Sequence, residues 1–508
     1  MQRQPNNVGI LRLVILGFIF GAVLMINFAS AEGQGQPAGN TYFHPPVVPR
    51  DSGTDLAMKI MAPFTFAGVG DMIDNHPVGD LAAPAFQGLV QVMRGADVTY
   101  ANMEGTMVDY ATFAGPIQGE VRPKALLDDL KAYGIRIMTT SNNHTFDAGP
   151  PAMLETLRLL DSAGIAHAGS GPNLQEAREA HFLKTPKGTI GVVGMFSIGP
   201  ETPGGGAATY KQGTSSSGLP GLNPLHVRVA NIVTAEQMQA LRKIRDTVYA
   251  RRTEVPTPIE YTAAELADQN NLVLFNETYK VGNAPGNLDY TMDPGDLRDI
   301  LWSIRNGKEY SDFMVVAIHC HQNSYSFQAY SHDNDVPNFL VELAHKAIDN
   351  GADVFIAHGV HTLRPVEIYK GKPIFYGVSN FFNQLGQRPE PPTPTGNQTE
   401  AEQAYEGITW ATLDDNLEAL LVTSHYDGGK LTEVRIYPAD LGQGKSRPMS
   451  EIGTPMTPSP EIARKILEKV QRLSKPFGTN ISIENNVGII RVEAAPPQKS
   501  RADRGAGN

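Results

Sequence analysis

Residues 352–381 read ADVFIAHGVHTLRPVEIYKGKPIFYGVSNF. The apolar run from Ala352 predicts a strand that ends on His358, with His361 just beyond it. PVEIYKGKPIFYG (365–377) predicts a hairpin that turns at Lys370-Gly371. Immediately upstream, DFMVVAIH (312–319) predicts a strand and VPNFLVELAHKAIDNG (336–351) a helix. Strand, helix, strand and then hairpin is the order of a mixed α/β domain. In such sheets ligands collect beyond the carboxyl ends of the strands, and here those ends carry histidines.

The same alternation extends towards the N-terminus. KIMAPFTFAGVGDM (59–72), DVTYANME (97–104) and IRIMTT (135–140) predict strands. Helices are predicted around Phe86–Met93 and over PKALLDDLKAYG (123–134) and PPAMLETLRLLDSAG (150–164). HFLKTPKGTIGVVGM (181–195) reads as a hairpin. Residues 200–234, rich in Gly, Ser, Pro and Thr, read as a long surface loop. A polar helix (235–252) and an irregular stretch then lead to a helix at 296–306. Downstream lie a hairpin at 417–440, a helix near 459–473 and a last strand run at 480–493.

The ends of the chain differ in composition. Arg3 and Arg12 precede LVILGFIFGAVLMINF, and ASA follows at 29–31, the pattern of an export signal. The apolar run is short of the roughly 20 residues of a full span. Residues 1–31 are therefore expected to be a signal peptide cut after Ala31, with a retained anchor as the alternative. The expected location is the periplasm or cell envelope. Residues 32–58 read as a linker and 59–440 as the main domain with an insertion at 200–310. Residues 441–494 read as a helix-and-strand extension and 495–508 as a disordered tail. The net charge of −11 without clustered Lys or Arg excludes a nucleic-acid partner. The single Cys, Cys320, excludes an intramolecular disulfide.

The predicted strand ends gather one kind of chemistry. Asp71 closes the first strand, Asn102 and Glu104 the second, Asn143 and His144 the third. His319 and His321 end a later strand, and His358 and His361 another. Each has an ordinary reading alone: a turn former, a solvated charge or a hydrogen-bonded imidazole. As a set they are the groups that bind Mn, Fe or Zn. One carboxylate can bridge two cations about 3.5–4 Å apart, and a histidine beside a ligand asparagine can protonate a leaving group. Asp74 and His76 stand close enough to Asp71 to substitute for a ligand.

GVGDM (68–72), NMEG (102–105), SNNHTFDAG (141–149), GIAHAGSGPN (164–173), VVAIHCH (315–321) and residues 352–381 together resemble the bacterial capsule-synthesis CapA family, the poly-γ-glutamate synthesis proteins. That family is similar to calcineurin-like metallophosphoesterases. The resemblance implies a four-layer α/β/β/α sandwich of two mixed sheets. It implies Asp71 and His361 at a first metal site, Glu104 as the bridging carboxylate, and Asn143, His319 and His358 at a second. His144 takes the acid–base place; Asn102 and His321 are expected to face substrate. The cofactor implied is one or two divalent ions (Mn, Fe or Zn).

The sequence also departs from the pattern. Ile73 stands where the wider superfamily has the histidine of Asp-x-His, Ala357 replaces a Gly, and HCH replaces a histidine followed by an aromatic residue. Two functions remain open on this reading. One is an exported metal-dependent hydrolase of a phosphoester or of a surface polymer's amide or ester bond. The other is a non-catalytic subunit that binds an anionic polymer such as poly-γ-glutamate alongside membrane-bound synthase subunits.

Overall fold

The strand Phe64–Ile73 is apolar on both faces because both are covered. Phe64 and Phe66 point into a core shared with a second sheet, while Ala67 and Val69 point the other way, into a core shared with helices. The computed structural model describes residues 52–199, 206, 208, 217–251, 261–324, 334–384, 417–442, 447 and 451–492. The expected leader (1–31), the linker up to 51 and the tail from 495 lie outside these residues. No helix among the described residues is long and apolar enough to cross a membrane.

Among the described residues two large mixed sheets stand face to face, one of 9 strands and one of 10. The first is ordered around Phe64–Ile73, flanked by the parallel strand Val98–Met103 and the antiparallel strand Glu418–Asp427. The second is ordered around Phe313–His319, flanked in parallel by Gly188–Ile198 and Val354–His358. Phe64, Tyr100, Ile137 and Val422 of the first sheet meet Val192, Phe313, Val315 and Ile356 of the second. Helices Pro84–Gly95, Leu126–Ala132 and Gly149–Ala163 cover the outer face of the first sheet through Leu89, Leu130 and Leu160. Helices Pro294–Tyr310 and Asn338–Asp349 cover that of the second through Ile304 and Leu343. The layers are therefore α/β/β/α, as the sequence implied.

Strand parity decides what faces the gap between the sheets. Successive side chains alternate, so Phe313, Val315 and Ala317 point inward and bring His319 with them. Val354 and Ile356 do the same for His358, which pairs in register with His319. Asp71 has the wrong parity for this face. A bulge corrects it: Gly68 pairs with Tyr100 but Asp71 pairs with Asn102, one residue more on the first strand. The extra residue turns Asp71 inward beside Asn102.

The structure corrects three readings of the chain. The stretch read as a long loop contains the ten-residue strand Pro224–Val233, which joins the second sheet. The irregular stretch contains strands Asn271–Leu274, Glu277–Val281 and Leu288–Met292, which join the same sheet. Residues 480–493 are a hairpin, Ser482–Glu484 and Val487–Arg491, that turns at Asn485-Asn486, both at positive φ. The 441–494 stretch also shares the inner core: Ile466, Leu467 and Val470 of helix Pro460–Ser474 pack with Val434 and Ile490.

Candidate metal centre

Two asparagines leave the strand Ile135–Thr139 and divide the work. Asn142 builds the turn: its Oδ1 accepts from the backbone N of His144 (3.1 Å) and Gly105 (3.3 Å), and its Nδ2 donates to the Met103 carbonyl. Asn143 is thereby freed, and its Oδ1 lies 2.9 Å from His319 Nε2. Asp71, Glu104, His319, His321, His358 and His361 are all buried around it.

The donors fall into two groups. Asp71, His319 and His358 place donor atoms within 4.8 Å of one another, and so do Asp71, Glu104 and His361. Asp71 Oδ1 lies 3.2 Å from His358 Nδ1 and 3.5 Å from His319 Nδ1, while Oδ2 lies 3.7 Å from His361 Nδ1. Asp71 is therefore the carboxylate common to both groups, whereas the family resemblance gave the bridging place to Glu104. Glu104 belongs to the His361 group alone, its Oε1 3.8 Å from His361 Nε2. The bulge explains why Asp71 belongs to both, since it carries Asp71 to the seam between the sheets. His361, at φ 57, is in the left-handed region that non-glycine residues seldom adopt. Asn380 Oδ1, 2.6 Å from its Nδ1, holds the ring, and Asn380 pairs with Asp71 across the sheet.

A chain of hydrogen bonds fixes the His358 tautomer. Asn102 Nδ2 donates to Asp71 Oδ1 (2.8 Å), so its Oδ1 can only accept, from Thr139 Oγ1 at 3.1 Å. Thr139 has spent its proton, so Tyr100 OH must donate to it (2.6 Å) and accept from His358 Nε2–H (2.9 Å). His358 thus presents a bare Nδ1 to His319 Nδ1, 2.9 Å away. A neutral His319 has one proton. Placed on Nδ1, it leaves Nε2 bare against the Asn143 oxygen. Placed on Nε2, it leaves Nδ1 to accept from Asn102 Nδ2 (3.3 Å), and the bare His358 Nδ1 faces that nitrogen and the Asp71 carboxylate (3.2 Å). Either way one lone pair is left without a proton, and a divalent cation bound there would supply what is missing. Glu104 Oε2, buried with no hydrogen-bond partner among the described residues, points to the same need. The residues present fit a divalent metal ion.

The electrostatics agree. Burial pushes the Asp71 carboxyl up, but His319 and His358 beside it win and hold it well below the usual carboxylate range. Burial, with the Asp71 charge adding to it, pushes Glu104 well above that range. Burial lowers His319 to about 4 against the pull of Asp71, and lowers His321 and His361 as well. These imidazoles are neutral at pH 7, the form that ligates metal.

His144 is set apart. Its side chain is 32% exposed, its Nδ1 donates to Asp147 Oδ2 at 2.8 Å, and its Nε2 lies 3.9 Å from Glu104 Oε1. Asp147 also accepts from the backbone N of Glu120 (2.8 Å), which pins the carboxylate. The sequence reading assigned no role to Asp147, although its spacing three residues after His144 was visible. Asn102, expected to face substrate, is wholly buried and turned onto Asp71. His321, also expected at substrate, lies 2.9 Å from His319 Nε2. Asp74 faces the buried Arg122 (3.7 Å) and His76 bonds the Pro77 carbonyl, so neither joins the donors.

Fold and side chains together define an α/β sandwich protein with a buried site able to coordinate a metal ion, of the kind that metal-dependent hydrolases use. The chain belongs to the bacterial capsule synthesis protein PGA_cap family, whose profile matches residues 65–385. A Sinorhizobium fredii protein, y4sH, is 34% identical over 461 residues, 86% of this chain and 95% of its own. The PGA biosynthesis protein CapA of Bacillus subtilis is 34% identical over 104 residues, 20% of this chain and 24% of its own. A phosphatase of known structure from Mycoplasma pneumoniae covers 74% of this chain and 94% of its own at 12% identity, with a TM-score of 0.34. That score is too low for its activity to bear on this chain.

Proposed function

We propose that the chain is an exported, metal-dependent hydrolase of the cell envelope. It would cleave a phosphoester, or an amide or ester bond of an anionic surface polymer such as poly-γ-glutamate. The observation that carries this reading is His144: a half-open imidazole, fixed by Asp147, at the solvent edge of an otherwise buried donor set. A bound divalent ion would polarise the scissile group and lower the pKa of water. Asp71, Glu104, Asn143, His319, His358 and His361 are the residues to hold it. Asn102, with Tyr100 and Thr139 behind it, orients Asp71 and His358. As an imidazolium whose Nδ1–H is held by Asp147, His144 gives its Nε2 proton to the leaving oxygen or nitrogen and is left neutral. An anionic substrate and a chain of net charge −11 are compatible because the ion supplies local positive charge.

A second reading is a non-catalytic subunit that binds the polymer beside membrane-bound synthase partners. Ile73 favours it, since the Asp71–Glu104–His361 group has no imidazole from that position. The test is an assay of the purified full chain on p-nitrophenyl phosphate and on poly-γ-glutamate, with and without EDTA. The hydrolase reading predicts turnover that EDTA abolishes and that His144→Ala reduces about 10²–10⁴-fold with metal still bound. Polymer binding without turnover would establish the second reading instead.

A further inference from the structure

Three donor atoms, two of them from residues outside both groups, form a triangle. His319 Nε2 lies 2.9 Å from Asn143 Oδ1 and 2.9 Å from His321 Nε2, and His321 Nε2 lies 3.0 Å from Asn143 Oδ1. All three residues come from strand ends that face the gap between the sheets. We infer that His321 is itself a metal ligand, completing with Asn143 and His319 a facial set of two imidazoles and one amide oxygen. This rests on the metal-site reading above and adds a ligand to it.

The edge lengths carry the inference. Donors about 2.1 Å from an ion lie about 3.0 Å apart when they meet it at right angles, and about 3.4 Å apart at the tetrahedral angle. The observed edges of 2.9, 2.9 and 3.0 Å match one face of an octahedron. The competing explanation is a hydrogen bond in which His321 Nε2–H is shared between the other two atoms. That arrangement leaves the Asn143 oxygen and a bare His319 nitrogen in contact at 2.9 Å with no proton between them. A cation at the centre of the triangle removes the repulsion. The chain thereby gains an imidazole at the Asn143 group, while the one absent at Ile73 belonged to the other.

The experiment is a Mn(II) titration of the EDTA-stripped full chain by calorimetry, with pulsed EPR counting the imidazole nitrogens coupled to the bound ion. Wild type is compared with His321→Gln and His321→Ala, each checked for the wild-type thermal midpoint when stripped. The inference predicts affinity about 10–100-fold weaker and one fewer coupled nitrogen in both variants. Unchanged affinity and an unchanged nitrogen count would overturn it and leave the metal-site reading standing. Failure of the wild-type chain to bind Mn(II) at all would overturn both.

Discussion

His144 needs a partner at each end to act as an acid. Asp147 holds Nδ1 at 2.8 Å, and Nε2 faces Glu104 and the buried donors. Asp147→Asn keeps the size but offers a carbonyl or an N–H in place of the carboxylate. The expected outcome is a kcat at least about 10-fold lower, moving towards the roughly 10²–10⁴ contribution of a positioned acid. KM and metal content stay unchanged, and kcat against pH shifts its limb. Steady-state kinetics at several pH values checks this; a wild-type kcat would remove Asp147 from the account.

The imidazoles make a separate prediction. His319 titrates at about 4 in the folded, metal-free chain because it is buried, and at about 6.5 when unfolded. Between these values the unfolded chain binds the extra proton, so stability falls as pH drops from about 6.5 towards 4. For His319 alone the loss is on the order of 3 kcal/mol. Urea midpoints of the EDTA-stripped chain at pH 7 and pH 5 should show the drop, and His319→Gln should shrink it. Equal drops in the two proteins would contradict the assignment.

At the scale of elements, the site depends on one bulged strand threaded between close neighbours. A Cβ on Gly70 would stand 1.7 Å from the Ser379 carbonyl oxygen, which accepts from Asp71 N at 3.3 Å. Gly70→Ala must therefore push strand Asn380–Asn383 off strand Phe64–Ile73, and Asn380 takes its grip on His361 with it. Overpacking of this kind costs about 1–3 kcal/mol, and here it is spent where Asp71 is aimed. The expected result is a lower thermal midpoint together with weaker metal binding. A folded Gly70→Ala chain with wild-type metal affinity would show that the bulge does not position Asp71.

Elements also show what the sequence could reveal. The strands that end on Asp71, Glu104, Asn143, His319 and His358 were legible because apolar runs and their polar ends are both local. The strand Pro224–Val233 was hidden by its neighbourhood: its outward positions are polar or half-covered, and Gly, Ser and Pro precede it. The place of Asp71 in both donor groups was not legible either. A bulge is a property of two paired strands, and only the partner's register reveals it.

For the whole molecule, the two sheets act as jaws. Asp71, Asn102 and Glu104 come from the first sheet, His319 and His358 from the second, and the core of Phe64, Phe313 and Val315 sets their separation. The layer order could be anticipated from alternating strands and helices together with the family resemblance. The inner faces could not, because a strand buried on both sides shows no alternation to read. The account rests on the two sheets delivering their side chains to one cation. The most direct measurement is an anomalous-difference map from crystals of the full chain grown with Mn(II). The account predicts a peak within coordination distance of Asp71 and of the His319 and His358 rings. Crystals of folded protein with no peak at Asp71, at a Mn(II) concentration that saturates activity, would contradict it.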